Sequence, residues 1–214
     1  MKKNFLMITL CAILLSVSAV SYSSESEEVS GSYFTGYIGS ASLSDSDWNS
    51  PASTGVTLNL SYDAGMALGA AIGYQLDVLR VEMELSHQKN NVTGVSFSGG
   101  SLDMSGDMSI VSLLANGYLD IINNTPITPF LSVGVGLAKV EGNDFFVPGI
   151  GIGSGSADDT VQAFQIGGGL GYEINETVTL YANYRYFGTS DVDFDGTRVS
   201  IGSHNFMVGA RVNF

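Results

Sequence analysis

"VLRVEMELSH", residues 78–87, decides the fold. Leu79, Val81, Met83 and Leu85 take every second position, with Arg80, Glu82, Glu84 and Ser86 between them. A period of two marks a strand with one apolar and one charged face. In a soluble sheet the leucines would meet a core and the charges would meet water. In a membrane barrel the leucines would meet lipid and the charges would lie inside. The rest of the chain has to say which face is outside.

Composition favours lipid. Only 14% of the 214 residues are charged and 27 are glycine, against about a quarter charged in a typical soluble domain. Mean hydropathy is +0.22, yet no apolar run in the body of the chain approaches the roughly 18 residues of a spanning helix. Apolar surface dispersed two residues apart is what a membrane β-barrel requires.

Residues 1–21 read as a secretory signal. Lys2 and Lys3 supply the charged start, Phe5 to Leu15 an apolar stretch broken by Thr9, and Ala19-Val20-Ser21 a small-x-small cleavage site, so the mature chain begins at Tyr22. Cys11, the one cysteine, lies inside this segment behind Leu10, which is too large for a lipoprotein site. The mature chain therefore has no disulfide and no thiolate metal site. Loss of the two lysines leaves six basic residues against 21 acidic ones, a net charge of −15. Such a chain does not bind nucleic acid through phosphate neutralisation, and no cofactor is expected.

Residues 22–32 are a polar, acidic, disordered lead-in. The barrel occupies 33–214, with strands expected at 33–42, 65–74, 78–88, 108–120, 128–140, 161–172, 177–187 and 203–214. Connections 75–77, 121–127 and 173–176 are short, with Asn-Asn-Thr-Pro and Asn-Glu-Thr turn chemistry. Connections 43–64, 89–107, 141–160 and 188–202 are long and rich in Ser, Gly and Asp. A meander puts all short turns at one end and all long loops at the other, the asymmetry of an outer-membrane barrel.

Strand phases settle the opening question. Val178, Leu180, Ala182, Tyr184 and Tyr186 oppose Thr179, Tyr181, Asn183 and Arg185. Likewise Phe206, Val208, Ala210, Val212 and Phe214 oppose Asn205, Met207, Gly209, Arg211 and Asn213. One face is continuously apolar; the other mixes Gly, Ala and Ser with isolated polar residues. That second face is a crowded interior, and eight strands enclose a space that side chains just fill. The expected fold is all-β, an eight-stranded antiparallel up-and-down transmembrane β-barrel.

The blocks "ITPFLSVGVGLAKV", "FQIGGGLGYEINETVTLYANYRYFG" and "HNFMVGARVNF", with "GYQLDVLRVEMELSHQKN" before them, resemble the opacity-type surface proteins. These are small eight-stranded outer-membrane barrels grouped with the surface antigens of rickettsia-like organisms. The resemblance covers about 65–214. It implies a surface antigen, often an adhesin or a binder of host molecules, with no catalytic residues and with binding in variable long loops. The alternatives are a small porin-like channel, a purely structural membrane protein, and a soluble lipocalin-like binder. The last conflicts with the terminal Phe and the bare-glycine interior.

Four groups of residues stand out. Arg80, Glu82, Glu84, Arg185 and Arg211 fall on the inward phase and read as a lumen salt-bridge network, since buried charges need partners; lining of an ion pathway is the alternative. Trp48, Phe97, Phe145 and Phe146 are apolar groups in acidic loops, and so candidates for binding a host surface or serum protein. Phe214 ends the last strand on the lipid phase, where it resembles the signal that barrel-assembly machinery recognises. Asp191, Asp193 and Asp195 with Gly196 match the start of a calcium loop, but Gly202 stands where a bidentate Glu belongs. They are a weak metal candidate beside the simpler reading of a solvated acidic loop. His87 and His204 sit beside Ser86 and Ser203, yet neighbours along a strand point to opposite faces, so no catalytic pair is expected. Outward Tyr74, Tyr172 and Phe214 at one end, and Phe164, Tyr186 and Phe206 at the other, suggest two aromatic girdles.

Overall fold

A computed structural model describes residues 30–44, 46–48, 58–97, 100–146, 157–194 and 197–214. The signal segment and most of the lead-in lie outside these residues. Twelve strands are described: β1 (Ser30–Leu43), β2 (Ser46–Trp48), β3 (Leu58–Tyr62), β4 (Gly65–Leu76), β5 (Leu79–Phe97), β6 (Gly100–Asp120), β7 (Ile127–Phe146), β8 (Ala157–Glu173), β9 (Val178–Thr189), β10 (Val192–Phe194), β11 (Thr197–Val199) and β12 (Gly202–Asn213). Eight of them, β1, β4–β9 and β12, form a closed antiparallel barrel. Closure is made by β1 against β12, from Tyr33↔Asn213 to Leu43↔Ser203. All eight expected strands are present, and β1 begins three residues before the expected start.

The alternation of 78–87 is resolved as expected. Val81, Met83 and Leu85 are 47, 51 and 59% exposed on the outer wall, while Arg80, Glu82 and Glu84 are 5, 7 and 2% exposed in the lumen. The outer wall is an apolar band with polar borders. On β7 it runs from Ile127 to Leu137 and ends at Lys139. Eleven residues at a tilt near 45° span about 25 Å, the height of a lipid-facing band. Tyr74, Tyr172 and Phe214 border it at the short-turn end, and Phe164, Tyr186 and Phe206 mark the other.

The short turns are built by asparagine. Asn123 Oδ1 accepts from the Thr125 amide at 2.8 Å, and Asn175 Oδ1 from the Thr177 and Val178 amides at 2.9 and 2.8 Å. Asp77 closes the β4–β5 turn in the left-handed region, φ 54°, which Asp tolerates through local hydrogen bonding.

The long connections differ from the expected loops. Residues 89–97 and 100–107 continue β5 and β6 as paired strands up to Phe97↔Gly100, with a register shift at Val92/Gly94, and β6 shifts against β7 at Ser105/Asp107. β3 takes over beside β5 where β4 ends, pairing Asn59↔Ser96 to Tyr62↔Val92, and β2 adds outside β3. β7 and β8 extend to Phe146 and from Ala157, and β10 pairs with β11. Above the lipid neither face needs to be apolar, so the alternation fades from the sequence while the backbone ladder continues.

Candidate functional site

The lumen is built in layers by inward side chains from opposite walls. Near the short-turn end Arg80 grips Asp120 with Nε (2.9 and 3.1 Å) and Nη2 (2.8 Å), and Glu82 lies 3.7 Å from Arg80 Nη1. The Arg80 guanidinium also stacks 4.4 Å from the Tyr118 ring centroid. One layer higher, Arg185 Nη1 donates to both oxygens of Glu84 at 2.9 Å and to Gln165 Oε1 at 2.8 Å. Glu84 also accepts from the Tyr37 hydroxyl at 2.7 Å and from Asn116 Nδ2 at 2.9 Å. Charge-assisted, multiply bonded pairs of this kind are the stable form of buried ions.

Toward the long-loop end, Gln88, Asn90, Ser203 and Asn205 line one wall, linked by Gln88–Asn90 (2.9 Å), Gln88–Ser203 (3.0 Å) and Ser203–Asn205 (2.7 Å) bonds. The opposite wall is apolar. Met108, Ile110, Val140, Val161 and Phe187 pack with Val192 and Ile201, which the β9–β12 connection folds inward. Among the described residues, side chains thus fill most of the lumen above the Arg80 layer, leaving cavities of only about 30 and 20 Å³.

Of the lumen candidates, Arg80 lies against Glu82 and Arg185 against Glu84. Arg211 stands apart. Among the described residues no carboxylate lies within 4 Å of it, and its one hydrogen bond is Nη2 to Thr179 Oγ1 at 3.4 Å. Asp120 of β6, absent from the expected set, is the carboxylate that Arg80 grips. Alternation along β6 carries the signal: Asn116, Tyr118 and Asp120 share the inward phase. Arg211→Ala is therefore expected to lower stability by about 1 kcal/mol or less, the value of one weak neutral-acceptor bond. Urea unfolding of the refolded barrel checks this.

At the rim, Lys89 pairs with Asp107 at 3.4 Å, and Lys139 with Glu141 at 2.6 Å and Asp158 at 3.4 Å. The bonds to Glu141 and Asp158 hold the Lys139 ammonium above the ordinary lysine pKa. These exposed pairs add little stability, but they neutralise both lysines of the rim. Asp63 and Asp191 are exposed as well.

The family model for the outer membrane protein beta-barrel domain matches residues 7–214. The chain belongs to that family. Outer membrane protein PagN of Salmonella typhimurium is 26% identical over 222 residues, 94% of this chain and 90% of PagN. A Rickettsia felis protein named "Putative adhesin" is 26% identical over 167 residues, 73% of this chain and 70% of its own length. The crystal structure of Neisserial surface protein A superposes with a TM-score of 0.58 at 18% identity, covering 86% of this chain and 99% of that one.

As a member of the outer membrane protein beta-barrel family, this protein resides in the bacterial outer membrane, and its long hairpins face the cell exterior. Trp48 ends β2, Phe97 ends β5, and Phe145 and Phe146 end β7, so the backbone carries all four to that rim; their side chains lie outside the described ones. Asp195 lies outside the described residues. Asp193 sits in β10, opposite Arg198 of β11, so the segment is a β-hairpin where a calcium loop is flanked by helices. His87 bonds not Ser86 but Ser109 across the wall (Nε2···Oγ 3.1 Å), and His204 Nδ1 lies 2.6 Å from the Tyr184 hydroxyl. Neither histidine has a described carboxylate in hydrogen-bond contact to orient it.

Proposed function

We propose that the protein is a non-enzymatic surface antigen that mediates adhesion or host-molecule binding through its acidic extracellular hairpins. The observation carrying this reading is the length of β5 and β6. They run about ten residues past the lipid band and, with β2 and β3, build a protein surface outside the membrane. A barrel needs no such extension to sit in lipid. The name of the Rickettsia felis relative supports the same reading. The acidic rim would attract basic protein patches on a host surface or serum protein and repel anionic polysaccharide, with an on-rate that falls as salt rises.

Replacing Trp48, Phe145 and Phe146 together by Ser is expected to abolish adhesion of expressing cells to host-cell monolayers, while heat-modifiable gel mobility shows an inserted barrel. Unchanged adhesion would remove the proposal. The porin-like alternative is disfavoured by the filled lumen. Purified barrel in planar bilayers is expected to give no single-channel steps, and regular steps would favour the channel over the adhesin.

The remaining partners are outer-membrane lipid and the barrel-assembly machinery. The 76% exposed Phe214 fits a terminal aromatic presented for recognition. Deleting it is expected to reduce the inserted fraction in cells several-fold while leaving spontaneous refolding into detergent intact, since its amide bond to Ser32 O (3.0 Å) is peripheral. Equal insertion of both chains would exclude that role.

A further inference from the structure

Arg211 is a charge in the wrong surroundings for a dry lumen. Its Nε is buried and has no hydrogen-bond partner, and the hydroxyl of Tyr33, a residue with no exposed surface, makes no well-formed hydrogen bond although Glu82 and Arg80 lie beside it. The Arg211 guanidinium lies 5.5 Å from the Tyr33 ring centroid. Beside them a cavity of about 30 Å³ is lined by Thr35, Asp120, Thr128, Thr179 and Arg211 among others. Buried polar groups in native proteins are almost always bonded, and about 10–15 Å³ of such space is enough to hold a water molecule.

We propose that the periplasmic end of the lumen is a water-binding vestibule, in which ordered water bridges Arg211 Nε, the Tyr33 hydroxyl and the Arg80–Asp120 pair. Charge selects water over an anion. Among the described residues the buried and half-buried ionic groups of the lumen are Arg80, Arg185 and Arg211 against Glu82, Glu84 and Asp120, which balance, and Glu173, the register partner of Thr179, adds an exposed carboxylate at the mouth. An added anion would meet two carboxylates in the same small space. Exposure sets the limits of the vestibule: Arg211 and Thr128 are half-buried, whereas Glu84 and Arg185 are buried one layer higher, with Arg185 bonded through Nη1 and Nη2. A second cavity of about 20 Å³ lies higher, beside Gln88, Arg185 and Asn205, but among the described residues the unpaired Arg211 Nε and Tyr33 hydroxyl belong to the lower one, so water held by such groups collects at the periplasmic end.

The test is arginine side-chain NMR on the refolded full chain in nanodiscs. With four arginines in the sequence, single Arg→Lys variants assign the signals. The Arg211 Nε–H is expected to show cross-relaxation to water and to exchange at least about ten-fold faster than that of Arg185, the difference between a solvent-reached and a sealed group. Equal, slow exchange at both sites would overturn the vestibule. Crystals soaked in bromide distinguish the ligand: the expected map has no anomalous peak beside Arg211, and a peak there would replace water by an anion site. Arg211→Met should remove the water contact at the Tyr33 hydroxyl. If that variant does not fold, the exchange comparison in the parent chain still decides.

Discussion

Glu84→Ala is expected to lower the unfolding free energy of the barrel by on the order of 3–5 kcal/mol, because it strands a buried guanidinium. Arg185 would keep only Gln165 Oε1 at 2.8 Å and the Met207 sulfur at 2.9 Å as acceptors. Tyr37 and Asn116 would lose an acceptor at the same time. The cost lies mostly in the charge left behind and not in the pair itself. The double variant Glu84→Leu, Arg185→Met should therefore regain much of the loss, since apolar groups of similar volume often replace a buried pair at little cost. Urea-dependent unfolding in detergent measures both. Single-variant losses that simply add, within about 0.3–0.5 kcal/mol, would show that the two groups are not coupled.

The contrast between Glu84 and Arg211 shows what a sequence of this kind reveals. Phase is legible: a period of two assigns each residue to lipid or lumen, and every ionic residue assigned to the lumen lies there. Height is not. Arg211, Thr35, Ala71 and Glu84 are successive register partners around one row of the wall. With strands about 4.8 Å apart and tilted about 40°, each step changes height by roughly 3 Å, so the row separates Arg211 from Glu84 by roughly 9 Å along the barrel axis. Partners come instead from across the lumen, as Arg185 does, and tilt and stagger are properties of the closed barrel. Phase itself fails on the first strand, whose Gly- and Ser-rich sequence shows no clear alternation, and that hid Tyr37. The hairpins beyond the membrane were read as loops for a different reason. Without lipid on one side, nothing forces alternation.

Register is held by aromatic rings lying on glycines directly opposite. Tyr33 faces Gly73 and Tyr37 faces Gly69 across β1–β4, Tyr181 faces Gly209 across β9–β12, and Phe164 faces Gly188 across β8–β9. At Gly69 an added Cβ would run into the Tyr37 ring and hydroxyl. The absence of a side chain there lets the ring lie flat and deliver its hydroxyl to Glu84. A one-residue slip would set Tyr37 against Leu68 or Ala70 and turn every lumen residue of β1 toward lipid, so the two ring–glycine pairs four residues apart pin this strand pair twice. Gly69→Val is expected to cost about 3–6 kcal/mol, combining an overpacked ring with the loss of a hydrogen bond to a charged group. Gly36 supplies the control on the neighbouring register row, because a Cβ built there meets nothing within 4 Å. Gly36→Val should change stability by no more than about 0.5 kcal/mol, as an exposed substitution does. Adding Tyr37→Ala to Gly69→Val should relieve the overpacking but not restore the bond, giving a barrel between the parent and the single variant. If Gly69→Val unfolds at the same urea concentration as Gly36→Val, the rings do not hold the register, and the apolar wall alone must set it.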